Sequence, residues 1–236
     1  MTTLISSLST KTIRLFAYIA LLTTVGLSSC KKEEPTEAPD ASYIRFVNAS
    51  PTLGTYNIFF NDKKVNTAAI PFGGTVSYGL YTAGSHTIKY TTATNATAIL
   101  TKQITLGASQ IQTAYLIDKD ANLDVLLVVD DASVTSTTKA FVKFINLSPD
   151  APALNLDVKA GANLVKDRTY KTGSAFIQVD PKTYDFDIKD AATGAVKTTL
   201  TGIEMTAGRY YTIISKGMLV PGTTDQAFSA QSIINL

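Results

Sequence analysis

The sequence predicts an all-β protein, two tandem immunoglobulin-like antiparallel β-sandwich domains behind a cleaved N-terminal export signal. Three observations predict it. Tyr43-Ile44-Arg45-Phe46-Val47-Asn48-Ala49-Ser50-Pro51 returns as Phe141-Val142-Lys143-Phe144-Ile145-Asn146-Leu147-Ser148-Pro149, 98 positions later. Apolar and polar residues alternate with a period of two in short runs punctuated by Gly, Asn, Asp and Pro, as half-buried strands joined by turns do. After residue 40 no stretch carries the period of an amphipathic helix.

The chain begins with an export signal. Lys11 and Arg14 are the only charges before Cys30, and they stand ahead of the apolar run Leu15–Leu27. That run is shorter than the ~20 apolar residues a bilayer-spanning helix needs. Leu27-Ser28-Ser29-Cys30 resembles a bacterial lipobox, in which a branched apolar and two small residues precede a cysteine that takes diacylglycerol on sulfur, becomes the N-terminus and is further acylated, commonly with palmitate. Residues 1–29 are therefore read as a lipoprotein signal peptide and Cys30 as a membrane anchor. Residues 30–40 follow as a tether, because Lys31-Lys32-Glu33-Glu34-Pro35-Thr36-Glu37-Ala38-Pro39-Asp40 has nothing apolar enough to offset ordering entropy. Lys32-Glu33-Glu34 also resembles the acidic signal that sends Bacteroidetes lipoproteins to the outer face of the outer membrane. The expected location is the cell envelope, as a surface-exposed outer-membrane lipoprotein.

Charge and cysteine count narrow the partners. Lys11 and Arg14 leave with the signal, so the 21 basic residues fall to match the 19 acidic ones. No basic block interleaved with aromatics remains, so nucleic acid is not an expected partner. A single cysteine allows neither an internal disulfide nor a multi-cysteine metal site. No cofactor is expected.

The repeat sets the domain organisation. Its offset carries Asn57-Ile58-Phe59 onto Asn155-Leu156-Asp157 and Tyr78 onto Phe176; one extra residue later in the second copy places Thr113 opposite Thr212. A unit of this size closes its own core and is a domain duplication, not a solenoid repeat. The copies are read as residues 41–134 and 138–236, separately closed, with Ala132–Thr138 as the joint. In the second copy Leu154, Leu156 and Val158 alternate with Asn155, Asp157 and Lys159, and Tyr184, Phe186 and Ile188 with Asp185, Asp187 and Lys189. Further strands are expected at Ile104–Leu106, Ile111–Ile117, Val125–Val129, Tyr210–Ile214 and Ile233–Leu236.

A strand ending in Asn-x-Ser-Pro, Asp150-Ala151-Pro152 after it in the second copy, and Pro71-Phe72-Gly73 with Tyr81-Thr82-Ala83-Gly84-Ser85-His86-Thr87-Ile88 in the first together resemble the domain of unknown function 4397 family. The resemblance covers both copies. It implies secreted or lipid-anchored bacterial β-sandwich domains, often paired, with no catalytic residues to carry over. The first copy departs from it at Thr52-Leu53-Gly54, where Asp-Ala-Pro would stand.

Few residues offer chemistry. His86 is the only histidine, and it aligns with Tyr184 on the apolar face of its strand, which favours packing over catalysis. Asp118-Lys119-Asp120-Ala121-Asn122-Leu123-Asp124 alternates oxygen ligands as calcium loops do, yet Leu123 and Val129 stand where an EF-hand needs Gly and Glu. Asp118, Asp120, Asn122 and Asp124 are thus read as a polar hairpin turn first and calcium ligands second. Asn48 and Asn146 match a glycosylation acceptor but precede Ser-Pro, and are read as strand-ending turns. Tyr78 and Tyr81, near a Gly-rich turn, are the aromatic candidates for contact with a ligand.

These features favour a non-catalytic envelope lipoprotein that binds or scaffolds a surface glycan or protein, touching the membrane through its lipid. The competing reading is an envelope hydrolase or carbohydrate-processing accessory protein, which would need a converging pair of acids or a nucleophile with its base.

Overall fold

A computed structural model describes residues 40–235. The signal peptide, Leu27, Ser28, Ser29, Cys30 and most of the tether lie outside the described residues. Within them the chain is all-β: its sixteen strands form four four-stranded sheets, and a single 3-10 turn covers Asp120–Asn122.

The first half contributes β1 (Ala41–Asn48), β2 (Tyr56–Phe60), β3 (Lys63–Lys64), β4 (Thr75–Thr82), β5 (Gly84–Thr92), β6 (Ala98–Leu106), β7 (Ile111–Ile117) and β8 (Asp124–Val129). They pair as β4-β1-β7-β8 and β3-β2-β5-β6. The second half contributes β9 (Ala140–Asn146), β10 (Leu154–Val158), β11 (Asn163–Arg168), β12 (Ile177–Val179), β13 (Thr183–Asp190), β14 (Val196–Glu204), β15 (Tyr210–Lys216) and β16 (Ser229–Ile234). Its sheets are β12-β9-β15-β16 and β11-β10-β13-β14, the same orders displaced by eight strands. Both copies of the repeated nonapeptide therefore open equivalent strands. The last strand starts at Ser229, earlier than the Ile233 that apolar patterning suggests, because Ala230 and Ser232 complete its ladder with Ser215 and Ile213.

Pairing is not wholly antiparallel. β1 runs antiparallel to β4 but parallel to β7, with Tyr43 opposite Ile111, and β9 runs parallel to β15, with Tyr210 opposite Phe141. The expectation of purely antiparallel sheets is corrected by this one parallel pair in each half. It arises because the chain leaves the first sheet after β1, visits the other, and returns so that β1 is flanked on both sides.

Side-chain alternation explains the cores. Ile58 and Phe60 of β2 turn inward with Ile88 and Tyr90 of β5, and meet Ile44 and Phe46 of β1 from the other sheet in one apolar cluster. The second half repeats this with Leu154, Leu156, Phe186 and Ile188 against Val142 and Phe144. All seven residues of β9 and all seven of β15 are buried, which a half-buried strand cannot achieve. The reason is a third cluster between the halves. Val47, Ala49, Tyr115 and Ile117 of the first half meet Ile145, Leu147, Ile214 and Ile233 of the second. Consecutive apolar residues such as Phe144-Ile145 thus serve two cores at once. The halves share a buried face in addition to the joint.

The Asn-x-Ser-Pro segments end their strands by side-chain bonding to the backbone. Asn48 Oδ1 accepts from the Ser50 N–H at 3.1 Å, and Asn146 Oδ1 from the Ser148 N–H at 3.1 Å. Each serine then donates to a carbonyl at 2.6 Å, Ser50 to that of Asp118 and Ser148 to that of Gly217. Both carbonyls belong to left-handed residues just beyond β7 and β15, with φ of 62° and 84°.

Candidate functional site

The most unusual polar chemistry lies on the buried face between the halves. Lys143 and Asp130, both almost fully buried, form an ion pair across it. Asp130 Oδ2 also accepts from Thr113 Oγ1 at 2.5 Å and from the Tyr78 hydroxyl at 2.8 Å. Arg45 donates from Nε to Thr113 Oγ1 at 3.0 Å and from Nη1 to the Ile234 carbonyl at 2.7 Å, with its guanidinium carbon 4.7 Å from the Tyr78 ring centre. Burial pushes the Lys143 ammonium below the ordinary lysine range, against the pull of Asp130. Burial, helped by Asp130, pushes the Tyr78 hydroxyl above the ordinary tyrosine range.

A third cation is enclosed at the end of β15. Lys216 Nζ sits 3.6 Å from the Phe72 ring centre and donates to Ser229 Oγ at 3.2 Å. With no carboxylate against it among the described residues, burial lowers its pKa to about 8.

Two open grooves flank β4, whose outer edge is unpaired in its sheet. The larger, about 740 Å³, runs between β4 and residues 63–71 and is lined by Lys63, Lys64, Asn66, Tyr78 and Tyr81. The smaller, about 400 Å³, lies between β4 and β16 and is lined by Arg45, Ser77, Tyr78, Gln231 and Asn235. A register shift where β4 pairs with β1 between Ile44 and Phe46 accommodates Ser77 and Tyr78 and directs the Tyr78 hydroxyl to Asp130.

The candidate residues separate accordingly. Tyr78 borders both grooves, but its hydroxyl is committed to the buried Asp130. Tyr81 lines the larger groove, edge-on to Phe60 at 4.5 Å, and its ring covers Gly79, where a Cβ would lie 2.7 Å from it. His86 packs as expected. It stacks on Phe60 at 4.9 Å, its Nε2 meets the Thr82 carbonyl at 2.7 Å, and its Nδ1 meets the Asn61 amide nitrogen at 2.8 Å. A carbonyl only accepts, so Nε2 carries the proton and Nδ1 accepts.

The Asp118–Asp124 segment is a hairpin turn between β7 and β8, as read. Asp118 and Asp124 point to separate protein partners, and Asp120 and Asn122 are exposed. Asp118 Oδ2 accepts from the Tyr170 hydroxyl at 3.3 Å, whereas Asp124 pairs with Lys102 at 2.5 Å and accepts from the Val125 N–H at 2.8 Å. Burial raises the Asp124 carboxyl, but Lys102 and that N–H outweigh it and hold it below the usual range. Lys119, inside the same turn, reaches Asp225 of the second half at 2.7 Å. Among the described residues no cluster of three or more His, Cys, Asp or Glu side chains is arranged to hold a metal ion.

Reading the sequence did not single out Arg45, Lys143 or Asp130. A cation amid apolar residues at the same place in both copies was the available signal.

The family described as "Domain of unknown function (DUF4397)" matches residues 42–157, from β1 through the first half and into β10. No curated protein matches this chain. Among solved structures, the Bacillus anthracis TIE protein is 13% identical over 76% of this chain and 34% of its own, with a TM-score of 0.25. This chain thus spans about a third of that protein's length. A family CBM26 module from Eubacterium rectale Amy13K, solved in complex with maltoheptaose, is 8% identical over 83% of this chain and 97% of its own, with a TM-score of 0.25. A leucine-rich repeat protein from Bacteroides thetaiotaomicron is 10% identical over 80% of this chain and 27% of its own, with a TM-score of 0.22.

Proposed function

We propose that this chain is a non-catalytic lipoprotein of the cell envelope, held at the outer membrane or cell surface by lipid on Cys30, and that it binds or scaffolds a surface glycan or protein. The open groove of about 740 Å³ beside β4 carries the binding reading. Its walls combine an aromatic ring, two cations and an amide: Tyr81, Lys63, Lys64 and Asn66. Tyr81 is held by Phe60 and Gly79, so little rotamer freedom is lost when a ligand stacks on it. The recurrence of both sheet orders supports reading the halves as two tandem immunoglobulin-like β-sandwich domains of the same family. The lipobox and the charged tether support the anchor and the surface location.

Two experiments test the reading. Cys30→Ala should free the protein from washed membranes, and retention there would remove the anchor from the proposal. The soluble 41–236 fragment should bind on a glycan or protein array and lose that binding with Tyr81→Ala in a variant that still unfolds cooperatively. Binding indifferent to Tyr81, Lys63 and Lys64 would overturn the groove's role.

A further inference from the structure

We infer that the smaller groove, between β4 and β16, is a receptor for an extended acidic peptide, a site distinct from the groove that carries the reading above. The molecule contains its own comparison. The Asp130 N–H donates to the Ile111 carbonyl at 2.7 Å and the Asn235 N–H to the Tyr210 carbonyl at 2.8 Å, while Gln112 pairs with Val129 and Tyr211 with Ile234. Asp130 and Asn235 are therefore equivalent, as are Arg45 and Lys143, Tyr78 and Phe176, and Thr113 and Thr212. Contacts across the shared face follow the same pseudo-twofold. Lys143 reaches the Val129 carbonyl and Asp130 of the other half; Arg45 reaches the Ile234 carbonyl, beside Asn235.

The two equivalent grooves differ in what occupies them. Beside Lys143 and Phe176, the groove has the chain's own segment Asp131–Val134 as one wall, and the Tyr210 hydroxyl donates to the Ala132 and Val134 carbonyls at 3.2 and 2.5 Å. About 110 Å³ remains there. Beside Arg45 and Tyr78, about 400 Å³ is open. The charges differ in the same sense. Lys143 meets the Asp130 carboxylate directly, whereas Arg45 reaches it only through Thr113 Oγ1, and Asn235 stands where a second carboxylate would. Arg45 and Asn235 are 4% and 8% exposed, both line the groove, and among the described residues Arg45 Nη2 and Asn235 Nδ2 have no hydrogen-bond partner. Two buried cations that share one carboxylate leave a positive charge beside the open groove, and that charge calls for an anion. The filled groove shows which backbone fits: a short extended segment with small side chains that runs on from an aspartate.

The test uses the full-length protein and an end-blocked peptide of sequence Asp-Asp-Ala-Ser-Val-Thr, the sequence of residues 130–135, followed by fluorescence anisotropy. The peptide should bind saturably, and replacing its two aspartates with Asn should weaken binding about tenfold or more. Asn235→Asp gives Arg45 its own carboxylate; it should raise the thermal midpoint and weaken peptide binding by a similar factor. Ser77→Trp, at an exposed position on the groove wall, should abolish binding without moving the midpoint. Tyr81→Ala should leave it unchanged, which separates this site from the larger groove. No saturable binding, equal affinity for the Asn peptide, or insensitivity to Asn235→Asp and Ser77→Trp would each overturn the inference.

Discussion

At the scale of single residues, the buried charges dominate what substitutions will do. Asp130→Asn leaves Lys143 enclosed without its counter-charge and should cost about 3–5 kcal/mol in urea unfolding. Adding Lys143→Met should recover much of that loss, because a pair replaced by apolar bulk no longer carries the desolvation penalty. A double variant as unstable as Asp130→Asn alone would show that the pair does not act as a unit. Lys216 makes a pH-dependent case. Its folded pKa of about 8 lies below the ordinary 10.5, so it destabilises the fold fully below pH 8 and progressively less as pH rises toward 10.5. Lys216→Met should therefore gain about 1–2 kcal/mol at pH 7, net of the lost Phe72 contact, and that gain should shrink across the same window. Midpoints of the two proteins measured from pH 7 to 10.5 check this. These lysines were not legible in the sequence, since an isolated cation in a strand reads as its wet face. Recognising Arg45 and Lys143 as buried requires knowing that both faces of β1 and β9 are covered.

At the scale of elements, the strand-ending serines join two places 68 and 69 residues apart, and the geometry is the same in both halves. Ser148→Ala should cost about 1–2 kcal/mol by leaving the buried Gly217 carbonyl unpaired. Gly217→Ala should cost more, since its φ is 84° and a Cβ would lie 2.2 Å from the Ala227 carbonyl oxygen. Asp118→Gly should cost less than either, because glycine adopts the left-handed conformation freely and only the bonds from the Tyr170 hydroxyl and the Lys119 N–H are lost. Thermal midpoints of the three variants rank these effects. The sequence reveals that Asn-x-Ser-Pro is a turn, since Pro stops the strand and Asn bonds locally. It cannot reveal that the serine reaches a distant carbonyl. Strands such as β10 and β13 were legible from alternation; the parallel placement of β1 beside β7 was not, because alternation reports which face is buried and never the neighbour.

At the scale of the whole molecule, the recurrence of the nonapeptide was plain in the sequence, whereas the face joining the two halves was not. Ile145, Leu147 and Ile214 read as part of one core until Val47, Tyr115 and Ile117 are seen opposite them. That face should hold without the covalent joint. A protease site placed at Ser133–Thr137 and cut in the folded protein should leave halves that co-elute as one species, and Ile214→Asp should make them separate. Halves that part at once after cutting would show that the joint alone keeps them together.

The position of β1 also dictates an order of events. Its partners are β4 and, further off, β7, whose Ile111 lies 68 residues beyond Tyr43. A nascent chain emerging N-terminus first must hold Tyr43-Ile44-Arg45-Phe46-Val47 unsatisfied until β7 arrives, and β9 must then wait for β15. Closing so long a loop before the parallel ladder gives anything back puts the barrier late and makes folding slow, on the order of milliseconds to seconds. Until then this strand is a sticky intermediate, and holdases that shield extended apolar segments are the assistance such an intermediate calls for.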